Sequence, residues 1–269
     1  MKQQKNLSPL HRQYLKKTTH RKIIILSGQI GFLIVFFVLW QLLTDLKIID
    51  SFITSSPSKI WLQLKDLSIT GELFNHLWVS TKETLIGFAL GTLIGTTTAI
   101  ILWWSPILCS IFEPYLVVLN SLPKVALGPI IIIWAGTGQT AIITMAILIS
   151  VVITTINMLN GFINTDANKV LLLKTMNATK TQIFCKLIFP SNISTLMSTL
   201  KINVGMAWIG TIMGEYLTSK AGLGYLILYG GQVFKLDLVM TCILVLCIVA
   251  GIMYLIVALL EKTLVRWKN

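Results

Sequence analysis

Charge is what this sequence has least of. Of its 269 residues only 12% are charged, and 10 are acidic, whereas a soluble domain carries about a quarter charged residues. Histidine is scarce as well: the three are His11, His20 and His76. No HExxH or GxSxG occurs and no intramembrane carboxylate pair is evident, so the residue sets of a membrane-embedded hydrolase are missing and no catalytic residue is assigned. The four cysteines, Cys109, Cys185, Cys242 and Cys247, form no CxxC pair. They read as small buried hydrophobes, not as metal ligands or a disulfide frame. There is no GxxxxGK[ST] phosphate loop, so this chain lacks the usual means of holding ATP.

What is present is apolar sequence in long blocks. Hydrophobic residues make up 55%, and mean hydropathy is +0.80. A helix crossing a bilayer core of roughly 30 Å needs about 20 apolar residues, and several blocks reach that length. The class is an all-α polytopic membrane protein of six spans. Residues 1–22 form a basic segment. The block 23–43 is longer than a signal-peptide core and lacks a cleavage site, so it reads as a retained first span. Residues 44–81 read as an extracytoplasmic loop with a short amphipathic interfacial helix at 58–65. The region 82–260 is the membrane core, with spans near 84–104, 107–135, 139–160, 193–217 and 238–260. A polar, basic loop at 162–190 interrupts it, and a tail at 261–269 follows.

A net charge of +12 would suggest nucleic acid in a soluble protein; here its position decides. Segments 1–22, 162–190 and 261–269 carry fourteen basic residues, and 44–81 with 218–236 carry five. Positive residues collect in cytoplasmic loops, which puts both termini and the 162–190 loop in the cytoplasm.

Two spans have internal features. Gly87, Gly91 and Gly95 recur every four residues, the spacing that lets another helix backbone approach closely. The block 107–135 holds Pro114, Pro123 and Pro129 with the polar pair Asn120-Ser121. Prolines break helical hydrogen bonding, and irregular backbone at membrane depth survives only beside protein or a water-filled cavity. Asn120, Ser121, Pro123 and, in the fifth span, Asn203 and Glu215 are candidates for a translocation pathway; a packing kink and interhelical hydrogen bonds are the alternatives. Lys201 has two readings, snorkelling to the interface or attraction of an anion.

The loop sequence from Leu171 to Pro190 places Ile183, Phe184 and Leu187 at helical spacing, between a break at Asn177 and a stop at Pro190. It resembles the signature loop of binding-protein-dependent ABC importer permeases, in their nitrate, sulfonate, taurine and bicarbonate branch. That loop reads Glu-Ala-Ala, three residues, Gly, nine residues, Ile, one residue, Leu-Pro. Here Leu171 stands for the Glu and Asn177 for the Gly, and Asn is the best replacement where positive φ is needed. The stretches 122–138, 207–215 and 222–227 resemble the family's third span, its fifth span and the following loop.

The resemblance implies the type I importer permease fold with a cytoplasmic coupling helix between the fourth and fifth helices. It implies a permease homodimer in the bilayer, two cytoplasmic ATP-binding subunits using ATP and Mg2+, and an extracytoplasmic solute-binding protein. This chain itself would bind no cofactor, metal or nucleic acid. The coupling loop would comprise Leu171, Asn177, Ala178, Lys180, Ile183, Phe184, Leu187 and Pro190. Glu215, matching a family Glu, would have a gate or loop-fixing role. The solute would be a small anion such as a sulfonate, nitrate or taurine. The rivals are a proton- or sodium-driven carrier, which favours an acid inside the bundle, and a non-transporting membrane scaffold. Against the carrier, Glu83, Glu113, Glu215 and Asp237 all fall at or near predicted helix ends.

Overall fold

The computed structural model describes residues 9–265, so parts of the basic segment 1–22 and of the tail 261–269 lie outside the described residues. Within them every regular element is helical. The helices are α1 (Pro9–Asp45), α2 (Ser51–Thr54), α3 (Pro57–Ile69), α4 (Glu72–Trp104), α5 (Pro106–Ser121), α6 (Gly128–Ala135) and α7 (Gln139–Ile163). They continue as α8 (Ala167–Thr175), α9 (Lys180–Ile183), α10 (Phe189–Ser191), α11 (Ile193–Thr218), α12 (Leu223–Gln232) and α13 (Leu236–Leu264). Four stretches among the described residues are long and apolar enough to cross a membrane: 23–45, α4, α7 and α13. Two bent pairs, α5 with Lys124–Ala135 and Lys180–Ser191 with α11, bring the number to six if each counts as one span.

Helices α4, α7 and α11 make the centre of the bundle. The glycine row packs α4 onto α7 as its spacing predicts: Gly87, Gly91 and Gly95 face Ala146, Ser150 and Thr154 in turn. A Cβ on Gly91 would lie 2.7 Å from the Ser150 Cβ, so only glycine permits this separation. Polar side chains fasten the same seam. Asn203 Nδ2 donates to Thr92 Oγ1 (3.0 Å) and Thr154 Oγ1 (2.6 Å), joining all three helices. On one flank α3, α12 and α13 close a second core around Leu67, Leu223, Leu226 and Cys242. Helix α1 stands apart, held to α3 by Gln41 and Ser58.

Several boundaries differ from those read in the sequence. Helix α4 begins at Glu72, about twelve residues before the expected start of the second span, because Leu73, Ser80 and Glu83 bury against the neighbouring helices. The interfacial helix is longer than 58–65, with Ser56 capping Pro57–Ile69. Of the three prolines in the third span, Pro123 marks the break, where the chain turns by 90° into α6. Pro114 stays inside α5, and Pro129 sits in the first turn of α6, where its missing N–H costs nothing. Pro190 is no stop either. Residues Phe184–Ile188 widen into a π turn, and the helical path runs through Pro190 to Ser191 before α11 bends away by 57°. A proline cannot donate four residues back and crowds that carbonyl, and the wider turn relieves both.

Candidate functional site

The 162–190 loop folds as two short helical pieces joined by a tight corner. Asp166 opens α8 by accepting from Asn168 N–H at 2.9 Å. The helix closes on a left-handed residue, Asn177, with φ 59°. Ala178 N–H donates to Leu173 O and Asn177 N–H to Lys174 O, each at 3.0 Å. This is the Schellman arrangement that usually takes glycine, and Asn177 supplies it. Thr179 and Gln182 then form a reciprocal capping box at the start of α9.

The second piece is anchored, not exposed. Ile183 and Phe184 are buried with Leu102, Met158, Phe162 and Ile188. Phe184 packs against Trp103, Phe162 and Phe189 with ring centroids 5.0–6.0 Å away. Lys180 reaches across to cap α4: its Nζ donates to Trp104 O at 2.5 Å and lies 5.4 Å from the Trp103 ring centroid. Leu187 and Pro190 are half-buried, and Ala178 packs against the same core. The expected docking side chains Ile183 and Phe184 therefore face this chain's own bundle. Apolar groups open to the surroundings lie on α8 and its end: Leu171 is 59% exposed, Leu172 60% and Met176 70%. Helical spacing within 171–190 alone could not separate these two faces.

The candidate pathway residues do not come together. Asn120, Ser121 and Pro123 are exposed at the α5–α6 break, where Lys124 Nζ caps Asn120 O at 3.1 Å. Asn203 is fully buried in the bundle seam. Lys201 does not stand free for an anion; its Nζ pairs with Glu261 Oε2 on α13 at 2.8 Å.

Glu215 lies elsewhere again, and here the sequence reading needs correction. Glu83 is not at a helix end but within α4, 4% exposed, and it makes a side-chain hydrogen-bond contact with Glu215, which is 0% exposed. The bundle thus does contain a buried carboxylate pair. Ser80 Oγ donates to Glu215 Oε1 at 2.5 Å, and Gly224 N–H to Oε2 at 2.5 Å. The sequence signal lay in the four-residue step between Ser80 and Thr84, with Glu83 beside them, but nothing local showed that the other end of the chain meets this face. Among the described residues no cluster of three His, Cys, Asp or Glu side chains is placed to hold a metal.

A polytopic helical bundle with an anchored, surface-presenting loop between its fourth and fifth spans is the architecture of a transporter's membrane subunit. Residues 89–267 match the family described as "Binding-protein-dependent transport system inner membrane component", and the chain belongs to that family. It is 28% identical over 235 residues to the putative aliphatic sulfonates transport permease protein of Bacillus subtilis, covering 87% of this chain and 85% of that one. It is 30% identical to the formylaminopyrimidine transport permease protein of Halalkalibacterium halodurans, covering 72% and 77%. The fold is similar to a chain of the MetNI methionine ABC transporter in an inward-facing conformation, with TM-score 0.66, 16% identity and coverage of 73% and 98%. The chain is accordingly a multi-pass membrane transport subunit of an ABC importer, with ATP hydrolysis carried by a separate ATPase subunit.

Proposed function

We propose that two copies of this chain form the translocation pathway for a small anionic solute, and that α8 transmits the stroke of the ATPase. The carrying observation is the division of labour in the 162–190 loop. Leu171, Leu172 and Met176 are presented outward, while Phe184 and Lys180 tie the following turn to the ends of α4 and α7. A push on α8 therefore reaches two core helices through packed side chains, as a two-state mechanism requires. Leu171 in place of the family Glu makes this face apolar, so docking rests on shape and burial. We place 1–22, 162–190 and 261–269 in the cytoplasm and 44–81 outside, from the distribution of basic residues. A solute-binding protein then delivers its cargo on the outer side.

The substrate class follows the relatives: an aliphatic sulfonate is named for the Bacillus subtilis protein and taurine for an Escherichia coli permease 24% identical over 245 residues. The exposed break at Asn120, Ser121 and Pro123 is our choice for the pathway wall, since irregular backbone within a membrane survives only beside protein or a water-filled cavity.

The test is ATPase activity of the co-purified complex carrying Leu172→Asp or Met176→Asp. A carboxylate placed in a buried apolar contact costs several kcal/mol, so the ATPase subunit should dissociate or lose stimulation while the permease stays folded. Unchanged association would rule out α8 as the docking face. Phe184→Asp is unsuitable for this purpose, because it would unfold the loop itself.

A further inference from the structure

The buried carboxylates of Glu83 and Glu215 serve neither the coupling loop nor the glycine seam, yet they sit at a joint. Three successive N–H groups at the start of α12 are taken up by side chains from α4 and α11. Gly222 N–H donates to His76 Nδ1 (2.9 Å), Leu223 N–H to Ser80 Oγ (2.7 Å) and Gly224 N–H to Glu215 Oε2 (2.5 Å). These groups lack helical partners of their own. Gly222 has φ 116° and a Cβ there would strike the Glu215 carboxyl group, so the backbone is drawn as close to Glu215 as glycine allows.

Glu215 Oε1 accepts from the Ser80 hydroxyl and Oε2 from the Gly224 N–H at the positive end of α12, the surroundings of a carboxylate. Glu83 contacts it, and the Glu83 Oε2 atom is buried without a partner. Two carboxyl groups in contact need a proton between them, since like charges at that separation do not both persist away from water. Among the described residues no ion pair reaches either carboxyl group: Lys82, beside Glu83 in the chain, is exposed and acts on it only at a distance, and Glu72 is exposed near His76. Tyr225 of α12 stacks on His76, Tyr216 of α11 and Cys242 of α13 lie next to one another, and α7 carries no titratable side chain.

We propose that Glu83 and Glu215 hold a single proton, and that this proton clamps the start of α12 to α4 and α11, so that its loss frees the α11–α12 turn. The sign follows from the chemistry. The clamp is closed while Glu83 is the neutral acid donating to the Glu215 carboxylate. As pH rises and that proton leaves, two adjacent anions repel and Glu215 withdraws from Gly224. On the outward side of the membrane this would make the turn between two core spans responsive to external pH.

Amide hydrogen exchange of 222–226 in the full importer complex, held in lipid discs and corrected for intrinsic rates, tests this. In the wild type, protection should fall about tenfold or more as pH is raised. Glu83→Gln, which still donates but cannot ionise, should keep protection flat across the same range. Glu215→Gln should be less protected at every pH. Infrared difference spectra should show a carboxylic acid carbonyl band in the wild type that Glu83→Gln removes. Wild-type protection that does not change with pH, a Glu83→Gln variant that follows the wild-type profile, or no acid band in the wild type would each overturn the proposal. The infrared band of the wild type decides even if a variant does not fold. None of these readouts depends on transport, so they stand apart from the docking role given to α8.

Discussion

Asn177 shows how much one residue settles. It occupies the left-handed corner that ends α8, where a Cβ-branched side chain is strained by about 1–2 kcal/mol. Asn177→Gly should leave the thermal midpoint of the purified permease unchanged or slightly raised, and Asn177→Val should lower it and loosen the ATPase subunit. Equal behaviour of the two variants would mean that the corner does not need positive φ. The departure from the family's glycine was legible in the sequence, and so was its consequence, because the demand at such a corner is local. Lys201 is the contrary case. Its partner Glu261 is sixty residues away and on another helix, so no reading of its own neighbourhood reveals the ion pair.

At the scale of elements, the glycine row of α4 carries the bundle. Gly91→Leu would drive a side chain into Ser150 and Ile147 of α7, and overpacking of a tight seam costs about 1–3 kcal/mol or more. Expression in the membrane and the melting midpoint should both drop, whereas Leu93→Ala on the exposed face of the same helix should change little. A Gly91→Leu protein as stable as the wild type would mean that the two helices separate freely. The four-residue step predicted which face would be small. It did not predict that α7 answers with Ala146, Ser150 and Thr154, which required the packed structure. The loop divides in the same manner: the helices at 162–190 follow from caps and spacing, but which helix faces outward depended on Trp103, Trp104 and Phe162 reaching Phe184.

For the whole molecule, the unburied elements are the informative ones. Helix α5 contains no buried residue, and Val117, Val118 and Leu119 all stand clear of the bundle. A second copy covering this face is the arrangement expected of the permease pair. In a background with all four cysteines replaced, Val118→Cys should form a disulfide-linked dimer in native membranes, with a cysteine at Trp61 on α3 as the negative control. Monomer alone under oxidising conditions would send the pair interface elsewhere. A cysteine introduced in 162–190 should react with membrane-impermeant reagents only from the cytoplasmic side, and one in 44–81 only from outside.

The sequence by itself determined the membrane class, the six-block order, the small-residue face of α4, the corner at Asn177 and the family. Each depends on composition or on spacing within one element, and the bilayer enforces both because backbone polar groups must be satisfied inside each span. Tertiary structure alone decided three things: the inward turn of Ile183 and Phe184, the pairing of Lys201 with Glu261, and the meeting of Glu83 with Glu215. In each, residues on different helices were brought together by packing in the folded bundle, and periodicity within a single helix carries no information about what lies across from it.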